Sequence, residues 1–231
     1  MKSLFLFLML MILAVPVLPQ ACGYTFLRLY LQTPQEKSVS AAEIKTYDKN
    51  FKNELNLYPE KDDSVDPFEK RLQWNEESQS YNGSEGMCGG HRDVGFRISA
   101  PGFENFDFVT DLPLGWTAYL VTLRPVGATD PPKATKLVRI TGDIIDSRKQ
   151  GIASVQVGTT EPQPAFFETF SRASGFYEIY LPPGKYDLKF VHQGFKTSIF
   201  KAYDISDGRH RRLDLALEAS DVTTLPNIKN Q

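Results

Sequence analysis

GFYEIYLPPGKYDLKFVHQGF, residues 175–195, decides the fold. Apolar side chains alternate on both sides of Pro182-Pro183-Gly184: Tyr177, Ile179 and Leu181 before it, Tyr186, Leu188 and Phe190 after it. A period of two belongs to a half-buried β-strand, because successive side chains point to opposite faces of the pleat. Pro183-Gly184 suits the two central positions of a type II turn, where proline presets φ and glycine takes the positive φ that follows. The expectation is a hairpin whose inward faces are those two sets. Gly175 and the closing pair Gly194-Phe195 are expected at further corners of the chain.

Working outward, short alternating segments recur at 138–145, 152–157, 166–170, 198–202 and 212–218, with a turn at 146–151. Strands of this length and spacing, separated by Gly- and Pro-containing turns, imply an all-β, antiparallel Greek-key sandwich of two sheets. The first half has the same character. Leu27, Leu29 and Leu31 alternate, as do Val94, Phe96 and Ile98, and further strands are expected at 39–47, 72–74, 78–81, 106–109 and 118–123.

The two halves superpose. Gly102-Phe103 falls on Gly194-Phe195 at a shift of 92, which also brings Phe96 and Ile98 onto Leu188 and Phe190, and Val121 and Leu123 onto Leu213 and Leu215. Val39, Ala42 and Ile44 fall on Ile152, Val155 and Val157 at a shift of 113. Internal similarity of this kind signals a duplicated unit. The shifts differ by 21, so the first copy holds an insertion within about 48–90. In that copy Cys88-Gly89-Gly90 stands where the second has Pro-Pro-Gly. The organisation expected is tandem: a leader at 1–21, a divergent sandwich at 22–125, a linker at 126–135, a second sandwich at 136–219 and a loose polar tail at 220–231.

The leader reading rests on Lys2 followed by an apolar run and a short polar segment ending at Ala21-Cys22, the order of a secretory signal peptide. The protein is therefore expected outside the cytoplasm: periplasm, cell surface or secreted. Cys22 and Cys88 are the two cysteines. In an oxidising compartment a disulfide is their simplest use; lipid modification of Cys22 and metal ligation are the alternatives. With 26 basic against 28 acidic residues, the chain carries no field that would draw nucleic acid.

In the second half, the order of Gly142, the turn 146–151, Val155 and Val157, Ser174-Gly175-Phe176, Leu181-Pro182-Pro183-Gly184-Lys185-Tyr186 and Gly194-Phe195 resembles the carboxypeptidase regulatory-like domain. This is a transthyretin-like (prealbumin-like) β-sandwich. The resemblance covers about 136–218 and implies a folding partner, spacer or interaction module with neither catalytic residues nor cofactor. Enzymes of the wider fold, the hydroxyisourate hydrolases, end in Tyr-Arg-Gly-Ser; this chain ends at 227–231 in a different sequence.

No catalytic constellation stands out. His91, His192 and His210 are scattered, and the acidic run 60–66 lacks the ligand spacing of a calcium loop. Two groups are candidate ligand contacts: Trp74 and Trp116, which could stack on sugars, and Arg209, Arg211 and Arg212, which could meet an acidic surface. Three roles follow: an exported binding or structural module whose partner is an unknown protein or glycan, a carbohydrate-binding module, or an accessory subunit of a separately encoded peptidase or envelope complex.

Overall fold

A computed structural model describes residues 22–55, 57, 70–161 and 167–220. The leader, the acidic run 60–66 and the tail beyond 220 lie outside the described residues. In the first half the chain runs through β1 (Cys22–Gln32), β2 (Glu43–Tyr47), β3 (Glu54–Leu55), β4 (Lys70–Asn75), β5 (Ser80–Cys88), β6 (His91–Ser99), β7 (Phe106–Leu112) and β8 (Gly115–Thr122), then β9 (Lys133–Lys136). These strands form one sheet of order β4-β5-β1-β8-β9 and another of order β3-β2-β6-β7. Leu27, Leu29 and Leu31 of β1 pack with Val94, Phe96 and Ile98 of β6 in the layer between them, all essentially inaccessible to water.

The second half comprises β10 (Val138–Ile145), β11 (Gln156–Thr159), β12 (Thr169–Phe170), β13 (Phe176–Leu181), β14 (Lys185–Val191), β15 (Ser198–Asp204), β16 (Arg211–Arg212) and β17 (Leu215–Ala216). One sheet runs β13-β10-β16, with β17 also on β10; the other runs β12-β11-β14-β15. Their shared core contains Ile140, Val157, Tyr177, Ile179, Leu188 and Phe190. Closing these two apolar layers is what the period-two pattern of the sequence requires.

The halves follow one plan. In each, the first strand lies between an antiparallel partner and a parallel last one: β5-β1-β8 and β13-β10-β16. Each second sheet repeats as well, β3-β2-β6-β7 against β12-β11-β14-β15. Equivalent turns carry equivalent hydrogen bonds. Thr33 N–H donates to the Lys37 carbonyl as Asp146 N–H does to Gln150, and Val39 to Leu31 as Ile152 does to Ile144. Glu36 and Lys149 share a left-handed backbone, with φ of 61° and 62°. The Gly-Phe corners also correspond, Phe103 bridging to Pro125 and Phe195 to Ala219. The first half adds β4, within the stretch read as an insertion, at one edge of its β5-β1-β8 sheet and β9 at the other.

Several local expectations are corrected. β13 and β14 do not form a hairpin: β13 pairs with β10 in one sheet, and β14 with β11 and β15 in the other. Gly184 is absent from the residues with positive φ, so Pro183-Gly184 is not a type II turn. It is an arch between sheets. Alternation had identified the inward side chains, but two strands that both face one core satisfy the same pattern whether they pair or oppose each other. Strand β11 starts at Gln156 because Ser154, with φ of 57°, turns the chain beforehand. The expected last strand is split into β16 and β17, and it runs parallel to β10. The segment read as a linker turns at Pro125, where Ala128 N–H meets its carbonyl, and then enters β9, which is antiparallel to β8.

Cys22 and Cys88 form a disulfide and face each other as register partners at one end of the β1–β5 ladder. Its sulfur is thereby engaged, which removes the lipid thioether and the metal-ligand reading of Cys22.

Candidate binding cleft between the two halves

Alternation along β1 sends Leu27, Leu29 and Leu31 inward and leaves Phe26, Arg28 and Tyr30 on the other face of that sheet. Trp116 and Ala118 of β8 are register partners of Phe26 and Arg28 and share that outer face. In the second half, Glu178 and Tyr180 of β13 stand opposite Thr141 and Arg139 of β10, again on the face turned away from the sandwich core. These two outer faces meet, and Tyr30 and Ala118 are buried in the same cluster as Tyr180 and Leu137.

A charged network occupies the junction. The Oε2 of Glu178 accepts from Arg139 Nε at 2.6 Å and lies 2.6 Å from its Nη2, while Oε1 faces Arg28 Nη1 at 3.6 Å. Arg28 Nε also donates to Asn82 Oδ1 at 2.9 Å. Its guanidinium lies 4.9 Å from the Tyr180 ring centre, and that of Arg139 lies 5.2 Å from the Trp116 ring centre. Because Glu178 is only 9% exposed, two guanidiniums offset the cost of burying its charge. Burial pushes the hydroxyls of Tyr180 and Tyr30 well above the usual phenol range. The Tyr180 hydroxyl has no hydrogen-bond partner among the described residues.

On the opposite side of the junction, His210 Nδ1 accepts the Arg139 backbone N–H at 2.9 Å. That bond needs the neutral imidazole. Desolvation, followed by the positive charges of Arg139 and Lys136, lowers the His210 pKa.

Beside the network opens a cleft of about 500 Å³. One wall is the β4–β5 turn with Ser78 and Asn82; the other is β13 with Phe170 and Arg172. The lining is mixed: amides and hydroxyls, aromatic rings and separate charges. Among the described residues no group of three or more His, Cys, Asp or Glu side chains could hold a metal ion.

The candidate contacts named from the sequence do not assemble into one site. Trp74 pairs with Tyr81 across β4–β5, and their rings meet edge-on at 5.3 Å against the first core. Trp116 faces the junction, stacked on Phe26 with centroids 4.5 Å apart. The two indoles therefore occupy opposite faces of one sheet. The arginine cluster is matched by carboxylates: Arg211 Nη2 lies 2.6 Å from Asp207 Oδ2, Arg212 Nε 3.0 Å from Asp214 Oδ2, and Arg212 also bonds Asp143. Arg209 is 3.8 Å from the same Asp207 carboxylate. These arginines brace the loop that places β16 beside β10. Sequence reasoning missed Arg28, Arg139, Glu178 and Tyr180, since each looks like an ordinary outward residue of a strand.

The fold defines an all-β protein built of two sandwiches. Residues 139–218, which span the second sandwich from β10 to β17, match the carboxypeptidase regulatory-like domain. No match was found among curated proteins. Similar solved structures include the Bacillus anthracis TIE protein, at 12% identity and a TM-score of 0.28 over 86% of this chain and 34% of that one. This chain thus spans about a third of that protein. The shaft pilin SpaA of Lactobacillus rhamnosus GG is similar at 13% identity and a TM-score of 0.26, with 88% of this chain and 100% of that one covered. A streptococcal ancillary pilin aligns at 8% identity and a TM-score of 0.25, over 86% of this chain and 63% of that one.

Proposed function

We propose that this protein is a non-enzymatic, exported binding module in which two tandem sandwiches, 22–125 and 136–219, are held at a fixed angle to present the cleft between them. The observation that carries this reading is that both halves build the cleft, with a half-buried Arg28–Glu178–Arg139 network beside it. Clefts at the junction of rigid units are the usual location of binding sites. The β4–β5 turn forms one wall, so the stretch added to the first copy supplies specificity, as variable loops on a rigid scaffold do. The Cys22–Cys88 bond suits an oxidising compartment. No helix among the described residues is long and apolar enough to cross a membrane.

The partner is a protein or a glycan of the cell surface or periplasm. A glycan is the second reading, supported by the aromatic rings and amides that line the cleft together. A glycan array and a pull-down from the envelope fraction, each run with the wild type and with Phe170→Ala, Asn82→Ala and Trp74→Ala, test the placement. Binding that is lost in the first two variants and kept in the third is the expected result. Binding indifferent to Phe170 and Asn82 would place the site elsewhere. The intact mass of the exported protein, lacking 1–21 and two hydrogens, tests export and oxidation together.

A further inference from the structure

In the first half, the edge of β5 is covered by β4, which pairs with it antiparallel from Lys70↔Ser84 to Asn75↔Ser80. The equivalent strand of the second half, β13, pairs with β10 on one side, and no strand among the described residues pairs with its other side. That open edge lines the cleft. Phe176, Tyr177, Glu178, Ile179 and Tyr180 all contribute, and five consecutive residues of an alternating strand line one cavity only when its edge forms the wall.

The hydrogen-bond phase fixes which groups are offered. Ile144 N–H donates to the Gly175 carbonyl at 2.9 Å, so in this antiparallel ladder residues 177, 179 and 181 direct their backbone groups to β10. Glu178 and Tyr180 direct theirs toward the cleft. Phe176 does the same, and its carbonyl already accepts the Arg172 N–H at 2.8 Å. The backbone bond made there by Arg172 shows that the edge is oriented to accept partners.

Side chains around this edge state what kind of strand fits. Arg172 stacks on Phe176 at 5.3 Å, and Glu77 and Glu168 stand in the cleft outside any ion pair among the described residues. With Glu178 and Arg28 included, the lining sets three carboxylates against two guanidiniums, a balance that favours a cationic occupant. Phe170, 61% exposed, offers an apolar contact, while Ser78 and Asn82, hydrogen-bonded to each other, line the cleft's opposite wall. The strand that fills the corresponding place in the first half, Lys70-Arg71-Leu72-Gln73-Trp74-Asn75, has that composition: basic, with apolar side chains at alternate positions.

We propose that the cleft takes an extended, basic, alternating segment of a partner protein, which adds to β13 as an antiparallel edge strand in the position β4 holds on β5. Strand addition of this kind draws affinity from main-chain hydrogen bonds and specificity from alternate side chains. The proposal rests on the cleft being the binding site, and the test separates the two ideas. Amide hydrogen exchange of the full chain is followed by NMR with the blocked hexapeptide KRLQWN, with the same peptide N-methylated at alternate amides, and with neutral oligosaccharides. Exchange at Glu178 and Tyr180 is expected to slow about tenfold when the peptide is at ten times its dissociation constant. The N-methylated peptide should leave these amides unchanged. Glycan-induced shifts at the cleft with no protection by the peptide would overturn strand addition and keep the cleft; no response at the cleft to any probe would overturn both.

Discussion

The guanidinium of Arg28, on the first strand of one sandwich, lies 4.9 Å from the ring centre of Tyr180, on an edge strand of the other. Through this contact and the adjacent Glu178, each half completes the other's outer sheet face. Replacing Arg28 with Met keeps aliphatic bulk but removes the charge. R28M is expected to lower stability toward urea by about 2 kcal/mol, the scale of a desolvated cation–aromatic contact. The loss should shrink in an E178Q background, where no carboxylate needs that charge. Equal losses in both backgrounds would reduce Arg28 to a packing role.

Reduction of the Cys22–Cys88 bond should act on the first half. The bond spans a sequence separation of 66. On the chain-entropy account, such a loop contributes about 4 kcal/mol by restricting the unfolded chain. A C22S/C88S variant is therefore expected to expose 22–125 to limited proteolysis at denaturant concentrations where 136–219 stays resistant. Identical cleavage patterns with and without the bond would contradict this.

Two glycines with similar backbones should respond differently to alanine. Gly175, with φ of +85°, has the Ile144 carbonyl oxygen 2.3 Å from where a Cβ would sit, and Gly151 Cα at 2.8 Å. Gly194, with φ of +88°, has nothing within 4 Å of that position. G194A pays the left-handed conformation alone, about 1 kcal/mol. G175A must also displace backbone, so its cost should exceed about 3 kcal/mol. Matching melting temperatures for the two variants would show that the corner at Gly175 yields more easily than its contacts imply.

Acid should loosen the junction on the side of His210. Its folded-state pKa is lowered, so it binds a proton more readily when unfolded. Its contribution is then present above its ordinary value of 6.5 and is lost as pH falls below it toward the folded value. Urea midpoints between pH 7.5 and 5 should fall more for the wild type than for H210Q, whose side-chain oxygen can accept the Arg139 N–H in both conditions. Parallel curves would exclude His210 as the source.

The sequence alone determined which side chains face inward. Leu27, Leu29 and Leu31, and likewise Tyr177, Ile179 and Leu181, are legible because burial on one face of a pleated strand imposes a period of two on the residues themselves. It also pointed to a common plan for the two halves, since each Gly-Phe corner is specified by a few neighbouring positions. Tertiary structure decided what opposes what. Whether β13 pairs with β14 or arches over to face it leaves the alternation unchanged, so the expected hairpin was indistinguishable from the sheet crossover that formed. The same limit hid the cleft. Arg28, Glu178 and Tyr180 look like exposed residues along their own strands, and they become one half-buried network only when two outer faces, more than a hundred residues apart in the chain, are brought together.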